Sequence, residues 1–318
     1  MRKLRGTRGC DEGAFLYSAV AATRKGVDRP EGPTNGPEER NRRLVSPMME
    51  LEREPPTNAA RAAEAPPIPQ LAVIGPGRVG RSIATAAERA YIATRLAGRD
   101  GTVEACRGSG AALLCVPDAE IVAACEVVAP TVPPVRFVGH TSGATGLDSL
   151  TAARAAGAEV FSLHPLQTIP DGDADLTGAP CAVAGSSSDA VALAWELATR
   201  IGMRPFEVPE EHRATYHAAA VMASNLLVAL EESASELLDR AGIDAASREL
   251  LAPLVLRAAA NWAERGSEAL TGPAARGDAE TIERHLHALR EVAPELLPVY
   301  EALTDRAQAI AAAPEAVP

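Results

Sequence analysis

Short apolar runs alternate with helix-length amphipathic stretches over residues 67–208, and beyond that point the runs cease. The first run, Gln70 to Ile74, reads as a buried strand followed by a helix over Arg78 to Ala90. Further strands are predicted at Ala93–Gly98, Ala111–Val116, Val135–Gly139, Glu159–Leu163, Cys181–Ala184 and Pro205–Val208. Helices are expected from Ala119, from about Leu147 and over Ser188–Ile201, with Pro117-Asp118 ending a strand and capping the first of them. Such alternation specifies an α/β fold, a parallel sheet covered by helices on both faces. From 209 to 318 the apolar residues recur at helical spacing. Long helices are predicted near 211–241, 247–265, 279–291 and 294–312, which makes this part an all-α domain. Residues 1–66 show neither period and are rich in Arg, Glu, Pro and Gly, so a disordered extension is expected there.

Composition narrows the function. The 318 residues are 47% hydrophobic, enough for a large core, and no apolar stretch approaches the roughly 18 residues of a membrane span. A formal charge of −11 with scattered basic residues argues against nucleic acid as a partner. The five cysteines are odd in number and lack C-x-x-C spacing, which favours free thiols in a reducing compartment over disulfides or zinc. Ala14 to Ala22 after a basic start faintly resembles a signal peptide, but Asp11 and Glu12 interrupt it, so a cytoplasmic protein is expected. Lys3 and Lys25 are the only lysines, and any chemistry requiring a lysine in the folded region is excluded. All six histidines lie beyond residue 139 and are the groups able to titrate near neutral pH.

The strand-to-helix turn carries Gly75-x-Gly77-x-x-Gly80. In this context the first glycine permits the tight turn, the second lets a pyrophosphate approach the backbone, and the third lets the helix lie close to the sheet. The helix N-terminus then offers unpaired N–H groups and the positive end of its dipole. Gly75, Gly77, Arg78, Val79 and Gly80 are therefore cofactor-binding candidates, with Val116 and Pro117 at the end of a neighbouring strand. The second strand ends in Ala97-Gly98-Arg99-Asp100, where Arg99 suits the 2′-phosphate of NADP and Asp100 leaves room for NAD. Two more strands end in polar runs, His140-Thr-Ser-Gly143 and His164-Pro-Leu-Gln-Thr168, at the edge where ligands of doubly wound sheets bind. On the first helix of the all-α part, His217, Val221, Ser224 and Asn225 fall on one arc. Asp278 is placed to cap the helix from Ala279, and His285 and His287, two apart, do not face each other, so no metal site is expected.

With these motifs in place, the chain resembles the Rossmann-like proteins whose C-terminal half is catalogued as domain of unknown function 2520. The resemblance rests on GPGRVG, on LLCVPD at 113–118, HTSG at 140–143, LHPLQT at 163–168, YHAAAVMASN at 216–225 and LTGPAARGD at 270–278. It implies a Rossmann domain followed by a helical domain like that of 6-phosphogluconate dehydrogenase, a homodimer, and relatedness to pyrroline-5-carboxylate reductase and the deazaflavin-linked NADP oxidoreductases. Two departures stand out. Arg99 to Ala111 is short for a full helix-strand unit, and the lysine that 3-hydroxyacid dehydrogenases carry four residues before an Asn is here Val221.

The function these readings lead to is an NADP-dependent oxidoreductase acting on a small carbonyl or imine substrate between the domains. His140, His164 or His217 would supply a proton, while Ser142, Gln167 and Asn225 orient the substrate. A non-catalytic NADP-binding module that senses redox state is the alternative.

Overall fold

The computed structural model describes residues 70–243 and 246–313, so the disorder expected over 1–66 lies outside the described residues. Seven strands form one sheet: β1 (Leu71–Ile74), β2 (Thr94–Ala97), β3 (Ala111–Leu114), β4 (Phe137–His140), β5 (Glu159–Pro165), β6 (Pro180–Gly185) and β7 (Arg204–Glu207). Their order is β2-β1-β3-β4-β5-β6-β7. Ile74, Leu114, His140 and Ser162 pair in succession across β1, β3, β4 and β5, so the carboxyl ends of these strands lie side by side.

The sheet is not wholly parallel as the sequence pattern suggests, because β5 and β6 run antiparallel, with His164 opposite Ala182. Parallel neighbours need a crossover, usually a helix, and none forms between residues 166 and 179. The chain turns back instead. The next connection does contain a helix, and β6 and β7 are again parallel.

Five helices accompany the strands: α1 (Arg78–Arg89), α2 (Thr102–Cys106), α3 (Ile121–Val128), α4 (Thr151–Ala155) and α5 (Ser188–Arg200). Alternate strand residues face opposite ways and build two cores. Leu71, Val73, Leu113 and Phe161 pack with Ile83 of α1 and Leu193 of α5. On the other face, Ala72, Leu114, Val138 and Val160 pack with Ile121 and Cys125 of α3. A 3-10 turn (Arg99–Gly101) and the short α2, five residues long, join β2 to β3, in line with the abbreviated segment after Arg99. Asp118 begins a single 3-10 turn whose N-cap position is taken by Pro117, so Asp118 is not the helix cap expected of it.

Beyond β7 come α6 (Arg213–Ala223), α7 (Asn225–Arg240), α8 (Ser247–Arg265), α9 (Pro273–Arg276), α10 (Ala279–Val292) and α11 (Leu297–Ala312). The single helix predicted over 211–241 is thus two, interrupted at Ser224 (φ −132°, ψ −80°). The Ser224 hydroxyl donates to the Ala220 carbonyl at 2.7 Å, a back-bond of the kind that bends helices. Asp278 caps α10 as expected, its Oδ1 accepting the Thr281 N–H at 3.0 Å. Arg240 ties α7 to the end of α10 through the Val292 carbonyl at 2.7 Å and to Glu295 at 2.5 Å. No helix among the described residues is long and apolar enough to cross a membrane.

Candidate functional site

The turn after β1 is shaped by backbone contact. Gly75 has φ +111°, and a Cβ there would lie 2.3 Å from the Cys115 carbonyl oxygen; a Cβ on Gly80 would lie 2.0 Å from that of Gly75. Both positions exclude a side chain, the first for its left-handed conformation and both for lack of space. Gly77 is different: a Cβ there would meet nothing within 4 Å. Its bare backbone faces open space at the start of α1, as a phosphate-binding turn requires.

That space continues into a cavity of about 420 Å³ lined by Gly75, Gly77, Arg99, Val116 and Pro117, with apolar side chains of α3 opposite. Arg99 is exposed and pairs with Glu120 across the mouth at 3.1 Å. Arg78 and Val79 line a second cavity of about 290 Å³, and Val116 borders both. Gly80 stands behind the turn, where it sets the approach of α1.

The second cavity reaches Asp118, Gly143, His164, Gln167 and His217. It is flanked by a third, of about 860 Å³, which adds Tyr216, Val221, Asn225 and the alanines of α6. Gly143 is the meeting point: a Cβ there would lie 2.5 Å from His217 Cδ2 and 2.8 Å from His164 Nε2. His164 Nδ1 and the Tyr216 hydroxyl are 2.7 Å apart, and the His164 and His217 rings lie 5.8 Å apart in an edge-on arrangement. Burial, reinforced by His217 and the Arg213 cation, holds the His164 pKa down to about 4, and burial pushes the Tyr216 phenol up to about 12. Both are therefore neutral at pH 7.

His140 is not brought to these cavities. It is fully buried at the end of β4, where Nδ1 accepts the Ser142 N–H at 3.2 Å and Nε2 has no hydrogen-bond partner. Burial and the Arg213 charge lower its pKa to about 4. The Ser142 hydroxyl is committed to its own loop, accepting the N–H groups of Ala144 at 3.2 Å and Thr145 at 2.9 Å. Gln167 donates to the Asp175 carbonyl at 2.9 Å, and the Asn225 side-chain amide lies 3.1 Å from the Ser224 hydroxyl oxygen. The arc expected to join His217 to Asn225 is broken at Ser224, so the two residues belong to different helices that border one cavity.

Arg213 escapes a reading of the sequence, where it looks like an exposed residue at a helix start. It is buried, donating to the Ser142 carbonyl at 3.1 Å and to the Ser162 hydroxyl, and it pairs with Glu210 at 3.4 Å. Glu210 also accepts the Leu147 N–H at 2.7 Å. This cluster clamps the start of α6 to the loop after β4 and so places Tyr216 and His217 beside His164. A charge at the foot of an apolar helix, three residues before an aromatic pair, was the available signal. Among the described residues no cluster of His, Cys, Asp and Glu could hold a metal ion, and Cys106, Cys115, Cys125 and Cys181 are buried free thiols.

No curated protein matches the sequence. Several solved structures share its fold. A provisionally assigned NADP oxidoreductase of Bacteroides fragilis, BF3122, is similar over 76% of this chain and 98% of its own, with TM-score 0.63 at 20% identity. Protein TM1727 of Thermotoga maritima gives TM-score 0.61 over the same shares, again at 20% identity. A reductive aminase of Aspergillus terreus, solved with NADPH and ethyl-5-oxohexanoate, gives TM-score 0.57 at 17% identity over 76% of this chain and 94% of its own. In sequence, residues 179–307, from just before β6 to within α11, match the family described as Domain of unknown function (DUF2520).

Proposed function

We propose that the protein is an NADP-linked oxidoreductase that reduces a small carbonyl or imine compound in the cavity between the sheet and α6. The observation that carries this reading is the adjacency of the cavity at the bare backbone of Gly77 to the one that reaches His164 and His217, Val116 being a wall of both. The residues present fit a dinucleotide. Gly75, Gly77 and the start of α1 would hold its pyrophosphate, and the pocket bordered by Arg99, Val116 and Pro117 its adenosine half. When bound, NADPH supplies the hydride. The relatives of similar fold named with NADP or NADPH support this choice of cofactor.

The chain's own part is to orient the substrate and deliver a proton. In the tautomer in which Nδ1 accepts from the Tyr216 hydroxyl, His164 carries its ring proton on Nε2, the nitrogen beside Gly143. A neutral imidazole can hydrogen-bond a carbonyl oxygen as negative charge develops there, and the Tyr216 hydroxyl can refill Nδ1 as the Nε2 proton leaves. His217 lines the same cavity from the adjoining turn of α6. Asn225 and Gln167 supply amides at its rim. In domain terms, residues 67–208 hold the cofactor and residues 209–318 supply one wall of the substrate site and the contact for a second copy of the chain.

His164→Ala should lower kcat by about 10²- to 10⁴-fold and leave NADPH affinity intact, with Tyr216→Phe next. Steady-state kinetics on a turned-over substrate, beside an NADPH titration, checks this. If His217→Ala alone abolishes turnover, the proton donor is His217. If NADPH binds but no carbonyl or imine in a broad panel consumes it, the protein is the non-catalytic module.

A further inference from the structure

The charges around His164 are few. In the two cavities that flank it, among the described residues, the charged side chains are Arg78 and Asp118. Arg78 opens α1 beside the glycine-rich turn, where a bound nucleotide phosphate would neutralise it. The other cations nearby are engaged: Arg213 is buried on Ser142 and Ser162, and Arg81 donates to the Pro76 carbonyl at 2.7 Å. The chain has no lysine after Lys25 to take their place. Asp118 lines the cavity and brings a carboxylate to it. The far wall is apolar, made by Ile169, Ala220, Val221, Ala223 and Val228.

A carboxylate or phosphate entering this space would lose water, meet Asp118, and find among the described lining residues one arginine, Arg78, which donates to the Pro170 carbonyl at 3.5 Å and stands where a cofactor phosphate would pair with it. Burying an unpaired anion in such surroundings is costly, whereas an apolar group gains from contact with α6. We propose that the site selects an uncharged carbonyl or imine compound bearing an apolar substituent and discriminates against anionic substrates. This rests on the oxidoreductase reading above and adds to it a class of substrate.

The test uses three ketones that differ at one position: 4-phenylbutan-2-one, its para-carboxamide and its para-carboxylate. The carboxamide and carboxylate share size and shape, so their difference reports charge. Binding to the NADPH-loaded protein is measured by calorimetry and turnover by NADPH absorbance. The expected result is that the parent ketone binds best and that the carboxylate binds at least tenfold more weakly than the carboxamide, or about 1.4 kcal/mol. Val221→Arg, which places a cation on the apolar wall, should narrow or reverse that ratio. A carboxylate that binds as well as the carboxamide in the native protein overturns the proposal, even if turnover confirms the enzyme. Absence of binding by all three also overturns it. Selective binding without NADPH consumption upholds the selection and sinks the catalytic reading instead.

Discussion

The two halves of the molecule bury their apolar residues to opposite degrees. Every residue of β1, β3 and β4 is buried, and both faces of the sheet are closed by helices. After β7 the buried residues among those described are Val208, Arg213, Ser247, Ile282, Leu289 and Ala293. Large apolar side chains there stand in solvent instead, with Leu254 and Trp262 both 67% exposed and Leu226, Val228 and Leu250 more than half. A sheet domain of this kind is complete as a single chain. An apolar surface of that extent is characteristic of interaction sites, and in the function proposed above a second copy of the same chain covers it.

Acid should show the largest contrast. His140 and His164 both belong to the sheet region and are held near 4, against an ordinary value of 6.5. The unfolded chain therefore takes up protons between pH 6.5 and 4 that the folded chain does not. Stability is full above about pH 6.5 and falls as the pH drops, by up to about 3 kcal/mol for each histidine. Urea melts at several pH values should show this loss, and it should shrink in His140→Gln. A flat profile would mean that the two rings charge without disturbing the sheet.

Next in size is the loss of pairing. Leu254→Glu with Trp262→Glu should weaken self-association at least a hundredfold, about 2.7 kcal/mol, and leave NADPH affinity nearly unchanged. Sedimentation velocity checks the first and a fluorescence titration the second. A native chain that sediments as a monomer at micromolar concentration would remove the contrast between the halves altogether.

Arg213→Ala attacks the junction. Removing the guanidinium leaves the Ser142 carbonyl and the Ser162 hydroxyl buried without their donor, at a cost of about 2 kcal/mol. Because the clamp positions α6, kcat should fall while NADPH affinity holds. The smallest effect expected is that of Arg99→Ala, which should weaken NADPH binding about tenfold and leave NADH nearly unchanged. Equal losses would make Arg99 a partner of Glu120 and nothing more.

The sequence was most legible where a pattern has one structural meaning. The glycine-rich turn, the strands and most helix limits emerge within a few residues, because buried strands and amphipathic helices differ in period. Strand direction is not encoded in an apolar run, so the reversal of β6 passed unseen, although the lack of a helix between Leu163 and Cys181 pointed to it. The break at Ser224 was hidden because apolar spacing continues across it. His140 and His164 were indistinguishable as strand-end histidines, and packing alone sends one into the core and the other to the cavity. Arg213 became informative only with Ser142 and Ser162 around it.

The interruption at Ser224 divides more than a helix. On one side α6 is fastened to the sheet through Arg213 and holds Tyr216 against His164; on the other α7 is stitched by Arg240 to α10 and Glu295. The break therefore separates helical segments with different attachments inside the all-α part of the chain. The cavity accordingly has one wall tied to the sheet, carrying Tyr216 and His217, and another, carrying Asn225 and Val228, that continues into the outer helices.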